Sequence, residues 1–226
     1  MARRPMWIST ISIAFSPAHR HLLALLSGTL LLTACTAKPL RITDDIGMVT
    51  VSSGFPSVMR HNQTYMLANE STIYPDDILD TDEDSKIQIR LVDGTLVSLG
   101  SNSHIVFHSF EYDQYKIWAN IDVTFTGGAI RVTRPGYDGS GQILIATPLA
   151  AIASNSDDFW AGFVFAGRTL GITMFSGGPI AVSNRDGSTE LTRPGNGVKV
   201  AAGAAPQAPQ AWESGMIETA TKSTTF

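Results

Sequence analysis

The chain has 226 residues, is 43% hydrophobic and sets 16 Lys and Arg against 20 Asp and Glu, a formal net charge of −4 at pH 7. That length suffices for a buried core, and the acidic balance argues against nucleic acid or an anionic lipid surface as partner. The single cysteine, Cys35, excludes an intramolecular disulfide, so the fold has to hold by burial.

Arg3, Arg4, His19, Arg20 and His21 make a basic start without an acid, and residues 22–32 (LLALLSGTLLL) form an apolar run. The run is shorter than the ~20 residues that span a bilayer. Leu32-Thr33-Ala34-Cys35 follows at once and resembles a bacterial lipobox. The resemblance implies a signal peptide over residues 1–34, cleavage before Cys35 and acyl chains on that cysteine. Such chains contribute about 0.8 kcal/mol per buried methylene, and more than one is needed for stable anchoring. The expected location is therefore the bacterial cell envelope, with the membrane reached through lipid on Cys35. Thr36, where an Asp would by resemblance signal inner-membrane retention, directs the expectation to the periplasmic face of the outer membrane. The competing reading is an ordinary secretory signal that contains a cysteine. Without residues 1–34 the chain carries 13 Lys and Arg against 20 acids, a charge of about −7.

Residues 35–45 read as anchor and tether, and a domain begins at Ile46. Gly47-Met48-Val49-Thr50-Val51, Gly128-Ala129-Ile130-Arg131-Val132 and Gly178-Pro179-Ile180-Ala181-Val182 share a pattern. Each has a glycine at a bend, then two β-branched residues on one face. Short apolar segments at residues 64–67 and 71–74 precede an acidic corner at 75–84. Ile87, Ile89 and Leu91 then alternate with Lys86, Gln88 and Arg90, the mark of a half-buried strand. Asp93-Gly94 signals a tight turn. A two-residue loop there would put the apolar sets on opposite faces. A three-residue connection over 93–95 pairs Leu91 with Val97 and Ile89 with Leu99 on one face.

Gly100-Ser101-Asn102-Ser103 breaks the pattern again, and Ile105 and Phe107 open a third strand. Residues 115–123 alternate through Ile117, Ala119, Ile121 and Val123. Residues 135–142 (PGYDGSGQ) read as a loop, and Ile143 and Ile145 as a strand. Residues 149–154 (LAAIAS) are expected to form a turn or two of helix, capped by Thr147 with Pro148 at the first helical position. Residues 159–165 are apolar on both faces and expected in the core. Strands at 169–175 and 180–183 flank Gly177-Gly178. Asn184-Arg185-Asp186-Gly187 is a further turn, and residues 190–200 close the domain. Residues 201–226 read as a flexible tail.

Two stretches resemble the FecR domain family. One is Asp77-Ile78-Leu79-Asp80-Thr81 with Asp84-Ser85, then residues 91–103 (LVDGTLVSLGSNS). The other is Gly127-Gly128-Ala129-Ile130-Arg131-Val132, followed by Ala146-Thr147-Pro148, Ala151-Ile152 and Phe159-Trp160. The resemblance covers about residues 46–200. It implies an all-β domain of stacked short strands, either β-solenoid-like or a two-layered β-sandwich, that acts in the periplasm by interaction. The best-known members relay siderophore signals from an outer-membrane transporter to a cytoplasmic sigma factor. Where the family pattern has a Gly, then Arg-Gly-Thr, this chain has Ala153 and Asn155-Ser156-Asp157.

The residues of chemical interest do not assemble into a reaction centre by spacing. Asp80-x-Asp82-x-Asp84 offers calcium oxygens, but Ser85 and Leu91 stand where a calcium loop needs Gly and an acid. His104 and His108 share a strand face without a placed third ligand. Ser140 misses the nucleophile-elbow spacing. Asp157-Asp158 point oppositely in a strand. No catalytic residue, cofactor or metal is expected. The leading reading is a non-enzymatic, lipid-anchored envelope module that binds other envelope proteins in signalling or assembly. The alternative is a glycan- or peptidoglycan-binding lipoprotein using Tyr112, Tyr115, Trp118 and Trp160. Exposed aromatics along one groove would mark the second. An apolar exposed strip or a free edge strand would mark the first.

Overall fold

The alternation read along the chain is the burial pattern of the fold. In residues 86–91 Ile87, Ile89 and Leu91 are buried while Lys86, Gln88 and Arg90 are not. In residues 118–127 Ala119, Ile121, Val123 and Phe125 are buried in the same way. The computed structural model describes residues 45–113, 115, 118–134, 141–164 and 167–226. Its strands are β1 (Gly47–Ser53), β2 (Ser57–Arg60), β3 (Gln63–Met66), β4 (Thr72–Ile73), β5 (Ile78–Asp80), β6 (Lys86–Leu91), β7 (Leu96–Leu99) and β8 (His104–Asp113). There follow β9 (Trp118–Gly127), β10 (Ala129–Thr133), β11 (Ile143–Ala146), β12 (Ala151–Val164), β13 (Thr169–Asn184), β14 (Gly187–Leu191), β15 (Asn196–Ala201) and β16 (Gln210–Ala211). Among the described residues one helix, α1 (Ser214–Ser223), follows the strands.

All the strands belong to one hydrogen-bonded sheet. Two long strands fold it into two layers. Residues 151–154 of β12 pair with β11, and residues 158–162 with β10, while β13 accompanies β12 throughout. β13 in turn pairs with β15 through residues 169–173 and with β14 through residues 180–184. The first layer therefore runs β3-β2-β5-β8-β9-β11-β12-β13-β14. The second runs β4-β1-β6-β7-β10-β12-β13-β15-β16. The bend falls where the β12–β13 register shifts, between Ser154 and Phe159. Gly177 lies in that irregular stretch with φ +94°, and a Cβ there would overlap the Asp157 backbone.

Val97, Ile130 and Val132 of the second layer meet Ile105, Phe107, Ile121 and Val123 of the first around one small internal gap. The core thus lies between the layers, as one continuous apolar cluster from Ile46 to Val200. The fold is all-β, as expected. Of the two architectures considered, strand pairing selects the two-layered one. Neighbouring strands are antiparallel, apart from β9 with β11, whereas stacked coils would pair in parallel.

Several expectations change in detail. The β6–β7 connection has three residues and keeps both apolar sets on one face. It spans 92–94 rather than 93–95, so Ile89 pairs with Val97 and Ile87 with Leu99. Leu91 N–H donates to Thr95 O at 2.8 Å, and the Asp93 carboxylate accepts from Thr95 N–H and Oγ1, which fixes the turn one residue earlier. The shared glycine pattern holds for Ile130 and Val132 and for Ile180 and Val182, all buried. In β1 a bulge between Val49 and Val51 turns Val51 outward.

The helix expected at 149–154 does not form. Thr147 Oγ1 accepts from Leu149 and Ala150 N–H, closing a single turn, and β12 begins at Ala151. Pairing on both sides, with β11 and β13, overrides the local helical preference of a short Ala-rich run. The segment expected as a tail, 201–226, contains β16 and α1. The expected signal peptide, Cys35, all but the last residue of the tether, and residues 135–140 of the expected loop lie outside the described residues.

Candidate interaction site

The β2–β3 hairpin ends the first layer. Among the described residues β3 pairs with β2 alone, and all four of its residues are exposed. His61 and Asn62 connect the strands as a two-residue turn with φ of 50° and 62°, the primed-turn geometry that suits strand twist. Cross-strand pairing puts Ser57, Met59, Thr64 and Met66 on the outward face. Met59 and Met66 are exposed there, Met66 at 58%, and Phe55, just before the hairpin, at 76%. One strand edge with open backbone N–H and C=O groups thus adjoins three exposed apolar side chains.

The inward face of this hairpin is fixed. Val58 is buried, and Arg60 donates through Nε and Nη2 to the Asp77 carboxylate at 2.6 and 2.5 Å. Asp77 is fully buried and also accepts from Tyr74 N–H at 2.9 Å. Arg60 Nη2 further donates to Thr72 O of β4, and its guanidinium stacks on Tyr74. The hydrogen bond to Asp77 holds the Arg60 pKa above its usual value, against the opposing effect of burial. Arg60 therefore ties β2, the strand next to the edge of the first layer, to β4 at the edge of the second, and holds the hairpin in place.

A second feature lies where the chain crosses between layers. The β7–β8 and β9–β10 connections meet there. Ser103 Oγ donates to Gly100 O or Ala129 O and accepts from Ala129 N–H. Thr81 Oγ1 donates to Gly100 O at 2.6 Å and accepts from Ser103 N–H. Gly128, with φ +76°, packs so closely on Ser103 that a Cβ would overlap it. The Gly-Ser-Asn-Ser and Gly-Gly-Ala motifs are thus two halves of one hydrogen-bonded corner. A cleft of about 600 Å³ opens beside it, between Asn102, Gly127 and Phe163 on the sheet and Thr219 and Ser223 on α1.

The residues weighed for chemistry are dispersed. Asp80 Oδ1 contacts His104 Nδ1 at 2.5 Å, Asp82 Oδ1 accepts from Asp84 N–H, and His108 Nε2 meets Thr124 Oγ1 at 2.8 Å. No cluster of three metal-ligating side chains forms among the described residues. Asp158 makes a bidentate pair with Arg131 at 2.9 and 2.7 Å, and this hydrogen bonding raises the Arg131 pKa. Ser140 lies outside the described residues. The aromatics divide. Tyr115 is 83% exposed beyond the end of β8, whereas Trp160 is buried against Trp212. Sequence reasoning did not single out Phe55, Arg60, Met59 or Met66. The available signal was His61-Asn62, a turn pair between two four-residue strands.

Residues 77–177 match the family model described as FecR protein. No curated protein matches the chain. Two crystal structures, at 1.65 and 2.50 Å resolution, of a "putative anti-sigma factor" from Parabacteroides distasonis ATCC 8503 are similar to it. They share 12% and 13% identity with TM-scores of 0.48 and 0.49, and each match covers 62% of this chain and 62% of that one. The family match takes in most of the acidic corner, both halves of the hydrogen-bonded corner and the β12–β13 bend, so residues 77–177 are similar to FecR protein over that stretch of the chain.

Proposed function

We propose that the protein is a non-enzymatic interaction module of the bacterial envelope. Lipid on Cys35 tethers it at the periplasmic face of the outer membrane. It binds another envelope protein through the β2–β3 edge, in signalling or in envelope assembly. The observation that carries this reading is the edge itself: β3, paired on one side only among the described residues, with apolar side chains beside it, on a hairpin held by Arg60 and Asp77. The FecR domain supports a regulatory rather than a catalytic role. The glycan reading draws less support, because Trp160 is covered by Trp212 while Tyr115 stands exposed in the β8–β9 connection.

A photo-crosslinking residue at Met66, compared with one at Glu190 on the opposite edge strand β14, tests the surface in intact cells. A discrete envelope-protein adduct from position 66 alone is expected; identical products from both positions would refute the edge. Palmitate labelling tests the anchor. Label incorporated by the native chain should vanish with Cys35→Ala, and labelling that persists would rule the tether out.

A further inference from the structure

The last residues of the chain lie on the outward face of the second layer, against a surface shaped for them. Trp160 and Gly162 of β12, Gly171 of β13 and Gly197 of β15 form it. Trp212 packs edge-on to Trp160, with ring centroids 6.0 Å apart. A Cβ at Gly197 would overlap the Trp212 indole, one at Gly162 would overlap the Trp160 ring, and one at Gly171 would come within 3.1 Å of Trp212. Three glycines on three paired strands thus leave a shallow seat filled by two indoles. Beyond it, Trp160 Nε1–H donates to Ser223 Oγ at 2.9 Å. Lys86 Nζ donates to Lys222 O and Thr225 O, at 3.0 and 2.7 Å, placing a cation on the open carbonyls at the C-terminal end of α1.

The same segment is weakly built in itself. α1 has ten residues, fewer than the ~12–15 that hold a helix marginally in water. Its N-cap residue, Glu213, makes no side-chain capping bond, and its first turn has no acid. Of its residues only Ala220 is buried. Trp212 Nε1 is buried with no hydrogen-bond partner among the described residues, so docking leaves a donor unsatisfied. β16 attaches through two residue pairs, Asn196 with Ala211 and Gly197 with Gln210. The order of this arm rests on its seat, and the seat holds it imperfectly. The arm also forms one wall of the 600 Å³ cleft, through Thr219 and Ser223.

We propose that residues 210–226 are a displaceable cover. The arm leaves the sheet as a unit while both layers stay folded, and its release opens the cleft and uncovers Trp160. This device is independent of the β2–β3 edge and of the tether. Its consequence is that access to the FecR-motif corner is set by the chain's own C-terminus.

Amide hydrogen exchange on the intact protein tests it. Amides of α1 should exchange at least ~100-fold faster than those of β12, as expected for a local opening below the global one. Trp212→Ala should remove α1 protection, leave β12 and β13 protection unchanged, and raise hydroxyl-radical labelling of Trp160. Lys86→Gln should speed exchange in α1 alone. A common exchange rate for α1 and β12, loss of β12 protection in Trp212→Ala, or unchanged α1 protection and Trp160 labelling in that variant would each overturn the proposal.

Discussion

Phe159 and Trp160 are adjacent on β12, both buried, and owe their burial to different parts of the chain. Phe159 points between the layers, fully buried at 0% exposure, in a cluster contributed by strands from β1 to β15. Trp160, at 6%, points outward and belongs to a small cluster with Ala129 and Ala220, bordered by Phe175 and Trp212. The inner face is buried by the strand pattern itself. The outer face would be an ordinary exposed sheet surface without the returning C-terminal arm. One strand can therefore carry two hydrophobic clusters of different standing, one needed for the fold and one able to open.

The sharpest way to break this distinction is to truncate each side in turn. Phe159→Ala should cost about 3–5 kcal/mol through lost burial and a cavity, read as a lowered midpoint in urea unfolding. A cost too small to measure would show that the inter-layer core is not what holds the fold. Gly197→Ala should expel the Trp212 indole at about 1–3 kcal/mol of overpacking. That effect should appear in near-ultraviolet circular dichroism and α1 exchange, with the main transition little changed. If its midpoint fell as far as in Phe159→Ala, the two clusters would be one cooperative unit. Ser223→Ala removes the acceptor of Trp160 Nε1–H and should cost about 1 kcal/mol, again confined to the arm. Met66→Lys, on the exposed outward face of the β2–β3 hairpin, should stay within about 0.5 kcal/mol while weakening adduct formation by a neighbouring crosslinker. A large loss of stability there would mean that β3 is part of the core rather than a free edge.

The elements most legible in the sequence were those governed by neighbours along the chain. Alternation in residues 86–91 and 115–123 marked two strands and their buried faces, although the second strand runs from Trp118 to Gly127. The odd-length connection after Leu91 followed from parity alone, because a one-residue slip moves every side chain to the other face. Its position did not follow, since Asp93 bonding to Thr95 shifted the turn by a residue without changing parity. The helix expected at 149–154 failed because β12 pairs on both sides, with β11 across a short hairpin and with β13, which returns from farther along the chain. The candidate edge was less legible. Phe55, Met59 and Met66 are scattered apolar residues in a polar stretch, and only strand order reveals that β3 has no second neighbour among the described residues.

The sequence by itself determined the all-β class, the buried face of most strands, and the two FecR motifs at 91–103 and 127–132. Each is a local property, set by side-chain period and turn chemistry. The tertiary structure alone decided that those motifs form the two halves of one corner around Ser103 and Gly128. It alone decided that β12 and β13 serve both layers, and that Trp212 and α1, beyond the Ala-, Pro- and Gln-rich stretch, are seated on the sheet. The reason is that none of these depends on neighbours in sequence. Trp212 has little apolar company nearby, and its burial is supplied by Trp160, Gly171 and Gly197 from three strands of the second layer.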